Sequence, residues 1–202
     1  MGWEEDKLAA WRRIWEDLEI GYLDEDALPV ILELFARPGA YTSSSCSGRI
    51  TVIDAVFPWR KEDASIVFKV HRPVKPEEVE AVAARPFKHR LWLSVQGPIY
   101  HVYVRGVGEA EEILEAAREA GFKHSGVMVI GADRLLLELR TGIRIAAPLL
   151  DKEQRYYADI HGLTNVANKA LAEAKERNKR LLEALRSRRP GEVWGPAAPH
   201  LR

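Results

Sequence analysis

Residues 90–105 read RLWLSVQGPIYHVYVR, and the alternation within this stretch decides what kind of fold the chain can adopt. Gly97 and Pro98 divide it into two runs, each rich in the β-branched and aromatic side chains that suit a pleated, half-buried surface. In the second run Ile99, His101 and Tyr103 share one face, while Tyr100, Val102 and Val104 share the other, because successive strand residues point to opposite sides. Working outward, residues 127–131, 134–140 and 143–149 continue the strand pattern, with Ala132 and Asp133 turning the first pair. Residues 40–57 also look extended, and the charged run 60–63 turns them into a hairpin with residues 65–70. Helical periods separate these runs. Leu8, Trp11, Trp15 and Leu18 mark a first amphipathic helix. A second follows the acidic residues 24–26, tolerates Pro29 in its first turn and ends near Pro38 and Gly39. Pro76 opens a short third helix, and residues 109–120 form a fourth capped by Gly121. From Asp151 onward the pattern is helical, with one apolar seam from Leu163 to Leu185. Strands grouped as hairpins between helices predict an α+β fold, with a mixed, largely antiparallel sheet, flanking helices and a long basic C-terminal helix, rather than a regular βαβ array. The expected organisation is one domain over residues 1–189 and a loose Pro- and Gly-rich tail over 190–202.

Thirty basic and thirty acidic residues cancel in this chain of 202, so any contact with a polyanion must use a local patch rather than the total charge. The lone Cys46 excludes an internal disulfide and a cysteine-rich zinc site, and the six histidines show no ligand spacing, so no metal is expected. No run approaches the roughly 20 apolar residues that span a bilayer, and the acidic residues 4–6 are unlike a secretory leader, which together predict a cytoplasmic protein. Few Asn, Gln, Met and Cys residues suggest a thermophile.

The most unusual local feature is residues 42–49, Thr-Ser-Ser-Ser-Cys-Ser-Gly-Arg. Short hydroxyls, exposed backbone N–H groups and one guanidinium could grip a carboxylate or phosphate, and polarity alone would make the run a loop. Residues 41–50 resemble the signature of the tRNA wybutosine-synthesising protein 3 family. Further blocks follow in the family's order. Residues 99–102 resemble its apolar-x-His-Val strand, and residues 121–126 its Gly-Phe-x-x-Ser-Gly turn. Thr141 and Gly142 ahead of Pro148, then residues 165–169, extend the match over nearly the whole chain. Two places depart from the family pattern: residues 17–21 lack the Lys of an Asp-x-Ser-x-Lys-Gly block, and Gln96 stands where an acid is expected.

The resemblance implies a methyltransferase that uses S-adenosylmethionine to methylate the N4 ring nitrogen of 7-aminocarboxypropyl-demethylwyosine, the tricyclic guanosine derivative beside the anticodon of phenylalanine tRNA. On that reading Ser44, Ser45, Cys46, Ser47, Gly48, Arg49, Ser125, Gly126 and Thr141 hold the donor. His101 is the candidate proton acceptor, because imidazole titrates near neutrality and a strand fixes its ring. Trp92, Tyr103, Asn165, Asn168 and Lys169 are the candidates for RNA contact, with Trp59 and Arg60 as further stacking groups. Residues 169–189 carry eight Lys or Arg and three Glu, a local charge of +5 that could lie along an anticodon arm or simply form a solvated face. Cys46 reads better as packing than as a nucleophile, since direct transfer from a sulfonium needs no covalent intermediate. Gly106 and Gly108 hint at a dinucleotide loop, but Glu109, Glu111 and Glu112 would repel a pyrophosphate there, so the donor site should differ from a standard Rossmann crevice. A non-catalytic RNA-binding module of the same fold is the alternative.

Overall fold

The computed structural model describes residues 2–60 and 62–196. In chain order the elements are α1 (Trp3–Glu19), a 3₁₀ turn (Glu25–Ala27), α2 (Leu28–Phe35), β1 (Ala40–Cys46), β2 (Arg49–Asp54), β3 (Ser65–Val70), α3 (Pro76–Ala83), β4 (Leu91–Gln96), β5 (Ile99–Val104), α4 (Val107–Glu119), β6 (Gly126–Ile130), β7 (Leu135–Arg140), β8 (Arg144–Leu150) and α5 (Ile160–Arg186). None of the described helices is long and apolar enough to cross a membrane. Every strand pairing is antiparallel, but the strands form two four-stranded sheets, ordered β1-β5-β7-β6 and β3-β2-β4-β8. The α+β reading therefore holds, with two sheets in place of one. β4 and β5, adjacent in sequence around Gly97, lie in different sheets, as do β1 and β2 and also β7 and β8.

The chain divides into two compact units. The first comprises Met1–Ser47, Pro98–Gly142 and Glu176–Arg202, and the second Gly48–Gly97 and Ile143–Lys175. In the first unit the alternation of β5 sends Tyr100, Val102 and Val104 into a core with Ile31, Leu34, Phe35, Ile113, Phe122, Leu137 and Leu181, all almost fully buried. Roughly 1.5–3 kcal/mol per large apolar side chain makes this burial the main stabilising term of the unit. Gly121 ends α4 with φ +87, a conformation that other residues adopt only under strain. The buried Tyr100 hydroxyl donates to Asn178 Oδ1, whose amide in turn donates to the Asp26 carbonyl over 3.0 Å. Burial is the main reason the Tyr100 phenol is pushed well above its usual pKa. Lys7 is fully buried, donates to the carbonyls of Arg37 and Pro38, and lies 4.2 Å from the ring centroid of Trp194.

Within the expected tail, Trp194 is held to the first unit. Its backbone N–H donates to the Ala36 carbonyl over 2.8 Å, and its ring packs against the core, while residues 197–202 lie outside the described residues.

In the second unit Ile50, Val52, Leu91, Leu93, Val95 and Leu149 of the sheet pack with Val79 and Val82 of α3 and Ile160, Ala167 and Leu171 of α5. Helix α5 begins at Ile160, nine residues later than the sequence pattern suggests. The Asp151 carboxylate explains the delay, because it accepts from the backbone N–H groups of Glu153 and Gln154 at 3.0 Å each and holds a turn instead. The Tyr156 hydroxyl and Arg90 also donate to it, and these bonds keep its carboxyl well below the usual carboxylate range.

Candidate active site

On polarity alone residues 42–49 would be a loop, but the fold places Thr42–Cys46 in β1 and starts β2 at Arg49, in keeping with the extended reading of 40–57. β1 pairs with β5 in the register Thr42 to Val102, Ser44 to His101, Ser45 to Tyr100 and Cys46 to Ile99, so Ser43 is the extra residue of a bulge. Tertiary pairing overrides the low strand preference of serine here, and the bulge re-aims the side chains beyond it. On its other side β5 sets His101 opposite Glu138 of β7, and β7 sets Glu138 opposite Gly126 of β6. A single row of residues thus crosses the sheet as Ser44, His101, Glu138 and Gly126, three of them singled out from the sequence. The fourth, Glu138, was missed. Its signal lay in the run 135–139, Leu-Leu-Leu-Glu-Leu, where one acid interrupts an otherwise apolar alternation.

The row is a chemical constellation as well as a geometric one. His101 Nε2 lies 3.3 Å from Glu138 Oε2, and Arg140 Nε lies 3.5 Å from the other carboxylate oxygen. His101 and Glu138 are both half-buried, so the imidazole is oriented by a partner yet open to solvent on one side. A carboxylate that accepts from one ring nitrogen fixes the tautomer and frees the other nitrogen to take up a proton.

Antiparallel order brings other candidates to the same end of this sheet. That end holds the last residues of β1, the first of β5, the last of β7 and the first of β6, and hence Ser45, Cys46, Ser47, Ile99, Thr141, Ser125 and Gly126. Ser47 is fully buried, and its backbone N–H donates to Asp24 Oδ2 over 2.6 Å. The Ser125 hydroxyl donates to the Phe122 carbonyl at 2.7 Å and accepts the Arg140 N–H at 3.0 Å, which holds the turn but occupies the hydroxyl. Cys46 is buried. The hydroxyls of Ser45 and Thr141 are buried without a hydrogen-bond partner. Orphaned buried hydroxyls are uncommon because each costs about 1–3 kcal/mol, and this sheet end holds two. Tyr103, two residues along the His101 face, packs against Tyr41 with the rings tilted by 32° and centroids 5.2 Å apart, and the Arg134 guanidinium lies 5.8 Å from its centroid. Burial raises the Tyr41 phenol's pKa, and the neighbouring Arg134 offsets part of the rise.

The remaining candidates belong to the second unit. Gly48 has φ +111, and a Cβ there would meet the Gln96 carbonyl at 3.3 Å and the Ala174 methyl at 3.2 Å. Arg49 stands opposite Gln96 in the β2–β4 ladder and donates to its side-chain oxygen over 3.0 Å, so the unexpected Gln96 leaves the cation unneutralised where an acid would have cancelled it. Trp92 is buried and its indole N–H donates to the Ala55 carbonyl over 3.1 Å. Asn168 is also engaged, since its amide bonds both the N–H and the carbonyl of Val74 at 2.9 and 2.8 Å. Asn165 and Lys169, four residues apart on α5, are exposed.

The basic C-terminal stripe is less available than its charge count suggests. Arg177 donates to the Gly121 carbonyl, Arg180 pairs with Glu176, Arg186 and Arg189 with Glu33, and Arg188 with Glu119. At least five of the eight basic side chains in residues 169–189 are therefore engaged within the protein.

Known proteins resemble this chain in sequence and fold. A protein from Saccharolobus solfataricus is 43% identical over 188 residues, 92% of this chain and 90% of its own, and is named tRNA(Phe) 7-((3-amino-3-carboxypropyl)-4-demethylwyosine(37)-N(4))-methyltransferase. A relative from Aeropyrum pernix with the same name is 39% identical over 79% of this chain and 86% of its own. A solved protein from Pyrococcus horikoshii superposes with a TM-score of 0.84 at 28% identity, covering 90% of this chain and 95% of its own. The family profile described as Methyltransferase TYW3 matches residues 5–187. Both departures from the family pattern fall inside that match, and the chain belongs to the TYW3 methyltransferase family.

Proposed function

We propose that this protein transfers a methyl group from S-adenosylmethionine to N4 of the 7-(3-amino-3-carboxypropyl)-4-demethylwyosine at position 37 of phenylalanine tRNA, the reaction for which its relatives are named. The observation that carries the reading in this chain is the row of Ser44, His101, Glu138 and Gly126 across one sheet, with His101 Nε2 3.3 Å from Glu138 Oε2.

The donor supplies an electrophilic methyl on a sulfonium. Ser45 and Thr141 fit it, because each offers a buried hydroxyl that lacks a partner and would gain one from the donor's polar groups. Ser125 and Gly126 flank the same end, where the Ser125 N–H donates to the Phe122 carbonyl and Gly126 pairs with Glu138. His101 accepts the proton that leaves N4 as the new N–C bond forms, so the nitrogen lone pair stays available for attack along the line to the methyl. Glu138 holds the imidazole in the tautomer that accepts, and stabilises the imidazolium once the proton has moved. Tyr103, on the same face, borders the space for the tricyclic base. In the second unit Arg49 serves as a fixed cation for an anionic group, and Asn165 and Lys169 serve as RNA contacts.

Incubation with methyl-labelled S-adenosylmethionine and tRNA bearing the demethyl precursor tests the reading. Label should enter the tRNA with the wild-type chain. Intact substrate that stays unlabelled, with donor binding absent by calorimetry, would leave a non-catalytic RNA-binding module as the better description.

A further inference from the structure

With much of the C-terminal stripe paired within the protein, contact with RNA can draw on a further surface, and the loop after β2 has the chemistry for one. Arg60 donates its backbone N–H to the Phe57 carbonyl over 3.0 Å, closing a tight turn. Pro58 sits at the second position of this turn, where its fixed φ is already suited, so Trp59 is carried at the tip on stiff backbone. Phe57 and Trp59 stack nearly face to face, with centroids 4.8 Å apart and planes 15° from parallel. Phe57 leans in turn on Trp92, 6.4 Å away, which the Ala55 carbonyl anchors in the sheet. The three rings climb from core to solvent, at 8%, 36% and 65% exposure for Trp92, Phe57 and Trp59. Cations accompany them, with the Arg60 guanidinium 6.0 Å from the Phe57 centroid and that of Arg90 5.7 Å from Trp92.

An indole left in water forgoes the stabilisation that burial brings, and here it is held rigidly in the exposed position rather than left to find cover. A flat, rooted aromatic face with a guanidinium beside it is the form that recognises an unstacked base, since every base offers a π-face and each phosphate a charge. We propose that the Phe57–Trp59 stack is a subsite for an unpaired nucleobase of RNA, with Arg60 set for the adjoining phosphate. This extends the proposed function, because it takes RNA as the substrate, and it explains how Trp92, though buried, serves that substrate as the root of the platform.

Equilibrium binding of the full chain and its Trp59→Ala and Trp59→Phe variants tests it. The probes are an end-labelled RNA stem-loop of phenylalanine anticodon sequence and a blunt RNA duplex of equal length. Trp59→Ala should weaken stem-loop binding about ten-fold, within the range that one base–aromatic stack provides. Trp59→Phe, which keeps a π-face, should stay within about two-fold of wild type, and duplex affinity should not move. Unchanged stem-loop affinity in Trp59→Ala would overturn the subsite, as would an equal loss on the duplex. So would self-association of the wild type that Trp59→Ala abolishes with RNA affinity unchanged, since the ring would then be a protein contact. The assay needs neither donor nor turnover. Methyl transfer with unaltered Trp59→Ala affinity sinks the subsite alone, and the affinity loss without methyl transfer by the wild type sinks the enzymatic reading alone.

Discussion

Thr141 and Ser45 show how a single orphaned atom can report on function. A buried hydroxyl with no partner weakens the fold, and the valine that replaces threonine has nearly the same shape without the unmet bond. We expect Thr141→Val to leave thermal stability unchanged or raise it slightly, while weakening S-adenosylmethionine binding about five- to ten-fold, the worth of one hydrogen bond. Differential scanning fluorimetry and calorimetry read the two effects separately, and a loss of stability with donor affinity intact would make the hydroxyl structural. His101 and Glu138 make a second pair of expectations. His101→Ala should lower kcat by about 10²–10⁴-fold, the usual span for general acid–base catalysis. Glu138→Gln keeps the shape but loses the charge, and should lower kcat about ten-fold with KM for donor and tRNA unchanged. Steady-state kinetics checks both, and a rise in KM alone would assign Glu138 to binding. At this scale the sequence was only partly legible. Resemblance marked His101, Ser44 and Gly126, but nothing in their spacing said that they share one row, because a register is fixed by pairing partners far away in the chain. Glu138 belonged to no block and emerged only when β5 and β7 were seen side by side.

Elements were easier to read than their partners. Alternation gave the strands, and the 3.6-residue period gave the helices, because both follow from local geometry. Which strand pairs with which is a long-range matter, and the short link at Gly97 resembles a hairpin turn although β4 and β5 lie in separate sheets. In the serine run polarity argued for a loop and the flanking β-branched pattern for a strand, and the ladder to β5 decided for the strand. The junction of β1 and β2 offers a test. Gly48→Ala would force a side chain into φ +111 against the Gln96 carbonyl, so we expect a loss of about 1–3 kcal/mol in chemical denaturation. A neutral substitution would mean that the junction relaxes freely. Helix α1 offers another. Burial lowers the Lys7 pKa to about 7 from 10.5, so between these values the unfolded chain binds a proton that the folded chain does not. Stability from this group should therefore rise with pH from about 7 to 10.5, by at most about 1.4 kcal/mol per unit, and stay flat below 7. Comparing denaturant midpoints of wild type and Lys7→Met across that window should show the extra slope in the wild type alone.

The whole molecule has zero formal charge, and the candidate row of Ser44, His101, Glu138 and Gly126 crosses one sheet rather than a charged face. Composition could not locate that chemistry, since thirty cations among thirty anions say nothing about which are paired. The division into two units, each assembled from separated segments, was equally hidden, because the links between units are as short as ordinary turns. Family membership supplies the reaction class, and the sheet row supplies residues able to perform it. The most direct test is nucleoside mass spectrometry on phenylalanine tRNA carrying the demethyl precursor, digested after incubation with S-adenosylmethionine and the protein. Wild type should convert the precursor nucleoside to a product heavier by one methylene unit with the methyl on N4, and His101→Ala should leave nearly all of it unconverted. An unconverted precursor with the wild type, or a His101→Ala variant that converts it as fast, would contradict the role given to the row across the sheet.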